Sequence, residues 1–483
     1  MHRPTGSFVV AGALGAALGF AASGAGAITA EVRAETQGQS YQLRGPYGAP
    51  VLSFRRLTQT LSLGAQERSD DPRGYILTIR ARLRIDADFG ASCDPTTDRC
   101  LDEINQARGA EFAPLFVRRA VDLPWAYLDL ERLAGGRLDL RGGRQLVVDP
   151  LGFLLFDGAR TRLRLGDRLV LDAYGGLETR AGFPLSNGRY TRDGLVYADR
   201  TGWDTTLAPH VQDRALAWLV GAGLDLRELG PVSARLAWRT VRGRAGVVEE
   251  KFGASVDLQL SRRARVVSET VYSVPQGMVS WASLAFEHAT PRGRVLGMEI
   301  ARSRPVFDLT SIWASFWIDP TDDLRVHGEW PLGSRATLVL AGLVRRYALD
   351  AASTEALANR GAADRALWAA GGTAGVSLRQ ARGDASLRTT FEHGDVASRA
   401  GGDAVWRWWL RPGRVRLDAS ASLWWTRDAL RPERDLTSVG LVAGALFRLG
   451  AVADVHLSIE DDINRIVGHR VRAMGILSLR GPQ

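Results

Sequence analysis

Long segments in which apolar and polar residues strictly alternate constrain the fold of this chain more than any other sequence feature. Between residues 75 and 89 the apolar side chains share one parity, and Arg80, Arg82 and Arg84 lie on the other. A period of two is that of a β-strand, whose successive side chains point to opposite faces. At about 3.3 Å per residue this strand spans roughly 50 Å, far beyond the usual length in globular sheets. The sequence therefore predicts long strands with one charged face.

The alternation recurs along the chain, for example at residues 160–165, 253–260, 414–425 and 453–460, and about twenty-two such segments can be drawn. Tight turns alternate with long polar connections between them. The turns are Ala134–Gly136, Gly166–Asp167, Gly230–Pro231, Ser261–Arg262, Pro291–Gly293, Gly333–Ser334, Arg382–Asp384, Arg411–Gly413 and Leu449–Gly450. The long connections lie near 90–122, 179–213, 303–323, 348–365, 394–402 and 427–435. Short turns at one end and long loops at the other are typical of outer-membrane barrels.

A closed membrane barrel satisfies this pattern better than a soluble sandwich or propeller. A soluble sandwich would leave open sheet edges and an outer face carrying strings of arginine and acidic residues. A propeller would show a sequence repeat of the length of one blade, and no such repeat occurs. With hydrocarbon outside and water inside, both parities face a suitable solvent and every backbone group is bonded. After residue 22 no apolar run is long enough for a spanning helix. We predict an all-β fold: a single antiparallel transmembrane β-barrel with an even strand number, about 18–22, in the bacterial outer membrane. Its first strand is 31–44, and both termini face the periplasm.

The first residues predict an export signal. Arg3 precedes an apolar stretch from Phe8 to Ala22, and the small-x-small pattern of residues 25–27 follows. We expect a signal peptide at 1–27 and a barrel at 28–483, with an N-terminal anchor helix as the alternative. Outside the cytoplasm Cys93 and Cys100 are expected to form a short disulfide loop. Metal ligation is the alternative there, although two thiols alone make no zinc site. No cofactor or metal is expected.

Two of the long connections are candidates to enter or cover the lumen. Residues 90–122 contain the cysteine pair and several apolar side chains that need cover, and residues 179–213 contain four aromatic side chains. We expect the first to fold inward and the second to act as the next candidate.

Arginine dominates the predicted lumen face, because 62 basic residues include a single lysine, Lys251, against 53 acidic residues. Guanidinium groups stay charged and favour anions when they line a pore. Charged-parity ladders supply the candidate solute-path residues Arg80, Arg82, Arg84, Arg160, Arg162, Arg164, Arg414 and Arg416. The alternative is a structural network in which acids on the same parity pair with them; these are Asp86, Asp88, Asp172, Asp257, Asp418, Asp454 and Glu460. Arginines at turns, such as Arg262 and Arg263, are candidates for lipid phosphates instead.

One short motif carries a family resemblance. Gly143-Arg144-Gln145, followed by Phe156-Asp157-Gly158-Ala159-Arg160, resembles the porin and alginate-export-type outer-membrane barrels over about forty residues. The resemblance implies a monomeric or trimeric barrel that passes a solute along an arginine-lined path, with Arg144 and Arg160 in the lumen. The final residues, 477–483, depart from that pattern because they lack the usual terminal aromatic residue.

The sequence also contains a weak enzymatic signal, His456-Leu457-Ser458, which has the His-x-Ser spacing of outer-membrane phospholipases. It lies on the charged parity, whereas a lipid-cleaving nucleophile belongs at the lipid side, so catalysis is not expected. The functional prediction is a porin-like channel for passive or facilitated passage of small hydrophilic solutes, with anions as candidates. The alternative is a non-conducting barrel with a structural, adhesive or secretion-associated role. Its partners are outer-membrane lipid, lipopolysaccharide and small solutes, without nucleic acid.

Overall fold

The structure is a computed structural model, which describes residues 29–44, 50–68, 74–88, 119–179, 217–243, 246–304, 320–347, 367–395, 397–428, 435–465 and 468–480. Their long alternating segments form 22 strands. The strands are β1 (Thr29–Arg44), β2 (Pro50–Arg68), β3 (Ile76–Asp88), β4 (Arg119–Arg132), β5 (Leu138–Asp149), β6 (Gly152–Leu165), β7 (Leu169–Glu178), β8 (Trp218–Leu229), β9 (Val232–Gly243), β10 (Gly246–Ser261), β11 (Ala264–Ser273), β12 (Met278–Ala289), β13 (Val295–Ser303), β14 (Thr321–Leu332), β15 (Ala336–Tyr347), β16 (Leu367–Gln380), β17 (Gly383–Gly394), β18 (Ala397–Arg411), β19 (Val415–Asp428), β20 (Leu436–Leu449), β21 (Ala453–Asn464) and β22 (Gly468–Arg480).

Every strand pairs antiparallel with its neighbour in sequence, and the sheet closes on itself. The closing ladder joins β1 to β22, with Arg33 opposite Arg480 and Ser40 opposite Ala473. Closure joins the first strand to the last, so the ring of strands has no free outer strand. The fold is therefore a 22-stranded antiparallel barrel, and the predicted fold class and even strand number are confirmed.

Helix is almost absent from the described part of the chain. A single turn, α1 (Leu133–Gly136), connects β4 to β5. Among the described residues, no helix has the length and apolarity needed to cross a membrane.

The connections divide the barrel into two unlike ends. All nine predicted tight turns follow even-numbered strands and lie at one end, here called the short-turn end. The strand ends that flank the connections at residues 89–118, 179–217, 304–320 and 348–366 all lie at the other end, here called the long-loop end, because each of these connections follows an odd-numbered strand. The start of β1 and the end of β22 lie at the short-turn end.

One expected connection is wrong, because residues 394–402 are mostly strand. β17 ends at Gly394 and β18 begins at Ala397. Gly401 and Gly402, which give this stretch the composition of a loop, lie inside β18. A Cβ at Gly401 would lie 2.3 Å from the carbonyl oxygen of Leu423, so glycine here permits close packing of neighbouring strands.

The ladder register places the charge-rich set of alternating residues from each strand on one face of the sheet. Arg80, Arg162 and Asp418 share one face around the sheet, whereas large apolar side chains such as Ile79, Leu324 and Leu441 lie half-exposed on the other. On the charged face, side chains also meet across an intervening strand. Arg345 of β15 reaches Glu392 of β17 at 3.7 Å. Such convergence indicates the concave side, so the charged face lines the lumen (the inner face) and the apolar face points outward (the outer face).

Tryptophan side chains mark both ends of the outer face. Trp330, Trp406 and Trp408 lie on it near the short-turn end, and Trp218, Trp368 and Trp425 lie on it near the long-loop end. Aromatic rings prefer the headgroup level of a bilayer. The two bands therefore frame the apolar outer wall as a membrane girdle.

Candidate functional site

A hairpin leaves the ladder of the barrel wall and folds over the inner face of the strands beside it. Pairing between β4 and β5 ends at Arg144, and pairing between β6 and β7 ends at Phe156, whereas β5 and β6 stay paired to their common turn. Residues 145–155, here called the inner hairpin, therefore extend beyond the wall ladders. They are bonded mainly to each other, with one further backbone bond from Thr179 to Leu155.

A row of glycines permits the bend at the base of this hairpin. Gly143, Gly158 and Gly176 lie opposite one another on β5, β6 and β7. A Cβ at Gly158 would lie 2.1 Å from the carbonyl oxygen of Gly175, and one at Gly143 would lie 2.4 Å from that of Ala126. Gly143 also has a φ of 118°, which other residues rarely adopt. The Gly-Arg-Gln and Asp-Gly motif of the sequence is thus the hinge of the inner hairpin.

The inner hairpin packs against the lumen wall through an apolar cluster. Phe156 is completely buried, and its ring centroid lies 5.6 Å from that of Tyr174 on β7. The cluster comprises Val147, Leu154, Phe156, Tyr174, Ala217, Leu219 and Val241. Its wall members are Ala217, just before β8, and residues on the inner face of β7, β8 and β9. Burial of side chains of this size contributes about 1.5–3 kcal/mol each, so the hairpin is held firmly against the wall.

Polar contacts anchor the tip of the hairpin to strands further round the barrel. Tyr174 donates a hydrogen bond of 2.9 Å from its hydroxyl to Asp149 at the end of β5. Arg239 of β9, only 3% exposed, donates to the carbonyl oxygen of Leu151 at 3.5 Å and lies 4.0 Å from Asp149. Gly253 of β10 makes room for Leu151, because a Cβ there would lie 2.7 Å from its side chain.

A second face of the inner hairpin carries exposed apolar side chains. Leu146, Val148 and Phe153 have the parity opposite to the buried cluster, and Phe153 is 73% exposed. Because the buried face rests on the lumen wall, this second face points toward the barrel axis. The hairpin therefore narrows the lumen and presents an apolar surface within it.

Arg144 does not occupy the position expected from the resemblance. Its parity is that of the outer face, and it forms a bidentate ion pair with Asp157, with both contacts at 2.7 Å. It also donates at 3.1 Å to the carbonyl oxygen of Leu123, where β4 bulges. The bend of the hairpin turns this side chain to the convex side of its base. Arg144 therefore positions the hairpin and does not join the lumen ladder.

The arginines of β6 lie on the inner face and are paired with acids. Arg160 and Asp172 form a buried pair, with the Nε–Oδ1 contact at 2.9 Å. Arg162 reaches the same carboxylate at 3.4 Å, and Arg164 donates to Asp139 at 2.9 Å. This ladder matches the structural network that the sequence left open.

The arginines of β3 have different surroundings. Arg80 and Arg82 lie on the inner face, and neither has an ion pair with a carboxylate among the described residues. The guanidinium of Arg82 lies 4.9 Å from the ring centroid of Trp125, within the range of a cation–π contact. Arg84 lies on the same face and has partners of its own. Within the described part of the chain, the β3 ladder therefore offers two guanidinium groups, those of Arg80 and Arg82, that no carboxylate pairs with.

The last two candidate arginines differ in position. Arg416 lies on the inner face of β19, donates to Asp418 at 2.8 Å and lies 5.6 Å from the ring of Trp409. Arg414 lies in the β18–β19 turn at the short-turn end and is exposed. The structure therefore brings Arg416 to the lumen wall and Arg414 to the rim.

Among the acids weighed above, several are paired across the wall. Asp454 lies 3.5 Å from Arg448, and Glu460 lies 3.3 Å from Arg472. The side chains of Asp86 and Asp88, the cysteine pair, the signal segment and most of loops 90–122 and 179–213 lie outside the described residues. Within the described ranges, no group of three or more His, Cys, Asp or Glu side chains is placed to hold a metal.

The anchoring residues Asp149, Tyr174, Arg239 and Glu249 were not found from the sequence. Glu249 completes the group, since it accepts from Arg239 at 2.8 Å and from Lys251 at 2.9 Å. Each lies on a strand whose alternation is ordinary. Their shared position depends on the hairpin crossing four strands, and no local sequence signal encodes that crossing.

Comparison with known proteins yields similar solved structures but no matching family model and no matching curated protein. Acinetobacter baumannii OccAB4 is 8% identical, with 94% of this chain and 98% of that chain covered and a TM-score of 0.42. A BenF-like porin from Pseudomonas fluorescens Pf-5 is 8% identical, with the same coverage and a TM-score of 0.45. Pseudomonas aeruginosa OccD3 (OpdP) is 9% identical, with coverage of 93% and 91% and a TM-score of 0.41. The alginate-export half of the sequence resemblance finds no support among these three.

Proposed function

We propose that this chain is an outer-membrane channel for passive or facilitated passage of small hydrophilic solutes, with anions favoured. One observation carries the proposal: a closed barrel whose inner face carries the charged side chains of most strands, with a hairpin that narrows the lumen. Water and ions suit such an inner face, and hydrocarbon suits the outer one. The bacterial outer membrane is the site we infer for it.

The preference for anions follows from the unequal pairing of the two arginine ladders. Arg160 and Arg164 are neutralised by Asp172 and Asp139, so they add little net field. Arg80 and Arg82 have no such pairs among the described residues. A guanidinium that keeps its donors available can bind a carboxylate, sulfate or phosphate group in passing. We therefore assign the first contact with an anionic solute to the β3 ladder.

Reversal potentials in planar bilayers under a salt gradient test this function. The wild-type chain is expected to conduct and to favour anions, and the double variant Arg80→Gln/Arg82→Gln is expected to shift the reversal potential toward cation preference. Arg242→Gln/Arg346→Gln is the matched control, because it removes the same charge from exposed arginines on the outer face. Cation preference in the wild type, or an equal shift in both variants, would contradict the anion assignment.

A non-conducting barrel is the second candidate, and the inner hairpin favours it because it occupies part of the lumen. Swelling of liposomes that contain the purified chain separates the two candidates. A channel lets sugars and organic acids enter and the liposomes swell, whereas a blocked barrel gives no swelling with any solute.

We also propose that the chain is not an enzyme. His456 Nε2 lies 3.8 Å from Asp418 across the intervening strand, and no hydrogen bond joins it to Ser458 in the described contacts. A base must lie within hydrogen-bond reach of the hydroxyl that it activates. Lipase activity that disappears in Ser458→Ala would contradict this proposal.

The disulfide between Cys93 and Cys100, the signal peptide and the assembly as a monomer or homotrimer stay predictions. Lipid, lipopolysaccharide and small solutes are the partners that an outer-membrane channel requires, and nucleic acid is not among them. Mass analysis of the exported chain, with and without reductant, tests the cleavage after residue 27 and the disulfide together.

A further inference from the structure

Exposed arginines are concentrated at the short-turn end. In the sector formed by β16–β19, the turns and the strand ends beside them carry exposed arginines, none of which has an ion pair with a described carboxylate; these are Arg379, Arg382, Arg411 and Arg414. The nearby acid, Asp384, lies 3.9 Å from another arginine, Arg407. Further exposed arginines at other turns include Arg262 and Arg335. Among the described residues of this sector, exposed arginines therefore outnumber the carboxylates that pair with them.

Tryptophans on the outer face fix the depth of these arginines in a bilayer. Trp406 and Trp408 lie on the outer face of β18 with ring centroids 6.3 Å apart and an interplanar angle of 6°. The β18–β19 turn begins shortly after Trp408. The backbone N–H of Trp409 also donates to the carbonyl oxygen of Arg382, in the neighbouring β16–β17 turn, at 2.7 Å. Indole rings prefer the headgroup level. Arg411, three residues further along, lies about 10 Å beyond Trp408 at 3.3 Å per residue, which is toward the phosphates.

We propose that Arg382, Arg411 and Arg414, here called the basic turns, bind the phosphate groups of anionic phospholipids in the membrane leaflet at the short-turn end. A guanidinium offers several donors in a fixed fork that matches a phosphate, and it stays charged at every relevant pH. The apolar wall directly above the basic turns, including half-exposed Leu410 and Trp406, accommodates the acyl chains of the same lipid.

A lipid suits this surface better than an acidic protein does. Exposed arginines recur at consecutive turns from Arg262, between β10 and β11, to Arg414, between β18 and β19, so the charge follows an arc of the rim instead of forming one docking patch. A row of lipids contacts the whole arc, whereas a protein partner contacts one site. Surface arginines also attract anionic lipid in an additive way, with roughly a fivefold effect on partitioning for each residue.

Native mass spectrometry of the purified full chain tests the proposal. The chain is equilibrated in detergent with an equimolar mixture of phosphatidylglycerol and phosphatidylethanolamine, and the retained lipids are counted. The wild type is expected to retain phosphatidylglycerol preferentially. The triple variant Arg382→Gln/Arg411→Gln/Arg414→Gln is expected to lose about tenfold or more of that preference.

A triple variant at the opposite end serves as the matched control. Arg242→Gln/Arg346→Gln/Arg427→Gln removes the same charge from exposed positions near the long-loop end and is expected to keep the preference. Heat-modifiable migration in gels verifies that both variants form the barrel. An unchanged preference in the first variant, or no preference in the wild type, overturns the proposal. Binding of polyglutamate to the basic turns without retention of phosphatidylglycerol assigns them to an acidic protein and also overturns it. Conductance is measured separately, so failure here is distinct from failure of the channel function.

Discussion

The hydroxyl of Tyr174 on β7 donates a 2.9 Å hydrogen bond to Asp149, the last residue of β5, and so joins the barrel wall to the tip of a hairpin that has left it. Tyr174 is buried, because its ring lies in the apolar cluster beneath the inner hairpin. One side chain therefore contributes both apolar area and a hydrogen bond to a charged group. The hydrogen bond and the cluster together hold the constriction of the lumen in place.

Tyr174→Phe removes this hydrogen bond and keeps the ring. We expect the hairpin to be less firmly held by about 1.5–3 kcal/mol, the usual contribution of a hydrogen bond to a charged group. Single-channel recordings should then show more frequent changes of conductance. Tyr272→Phe is the control, because Tyr272 lies on the outer face and is exposed. Equal noise in the two variants would contradict the anchoring role.

Gly221→Ala is expected to displace Tyr174 from its position. A Cβ at Gly221 would lie 2.2 Å from Cζ of Tyr174, and overpacking of this kind costs about 1–3 kcal/mol. Gly223→Ala is the control two residues along the same strand and face, where the nearest atom would be 3.5 Å away. Urea unfolding in liposomes should separate the two variants, with Gly221→Ala the less stable. If both unfold at the same urea concentration, the close approach of Tyr174 is not structural.

Phe153 and Phe156 lie three residues apart on β6, and replacing each with serine should change the stability of the fold by very different amounts. Phe156 is 0% exposed, so Phe156→Ser is expected to destabilise the fold by about 3–5 kcal/mol. Phe153 is 73% exposed, so Phe153→Ser should change stability by about 0.5 kcal/mol or less. The measurement is urea unfolding, followed by liposome swelling with polar and apolar solutes for Phe153→Ser. A large loss of stability in Phe153→Ser would mean that the second face of the hairpin is covered.

The charge pairs of the lumen should differ in strength with their burial. Asp172→Asn leaves Arg160 buried and unpaired, and we expect a loss of about 3–5 kcal/mol of stability. Glu287→Gln breaks a pair of similar geometry, to Arg265 at 2.7 Å, whose members are exposed to the lumen. That change should cost about 1 kcal/mol or less. Comparable losses measured by urea unfolding would show that burial does not set the strength of these pairs.

Much of the barrel could be predicted from alternation and turn composition, because both are local properties. Strict parity in β3 and β19 assigns each side chain to one face before any partner strand is known, and Gly-containing turns such as 166–168 mark the short-turn end. The predicted connection at 394–402 was wrong because glycines in a strand and glycines in a loop look alike in sequence. Only the neighbouring strand, with the carbonyl oxygen of Leu423 close to Gly401, shows which applies.

The roles of individual arginines could not be predicted in the same way. Arg80 and Arg160 have the same parity, the same residue type and the same kind of flanking sequence, yet Arg160 is paired with Asp172 and Arg80 has no described acid pair. Pairing depends on register between strands, which alternation does not specify. Arg144 shows the same limit. The sequence alone does not show which face its parity occupies at the point where the hairpin bends out of the wall.

The sequence by itself determined that this chain closes into a barrel with an apolar exterior, a charged interior and unlike ends. Alternate side chains of each strand are apolar and charged, so one face must meet hydrocarbon and the other water. Only the tertiary structure decided that residues 145–155 turn into the lumen and rest on β7–β10. That choice follows from contacts between side chains far apart in sequence, such as Arg239 with Leu151, and from glycines whose missing Cβ atoms let strands bend. Neither the contacts nor the bend has a repeating signature along the chain.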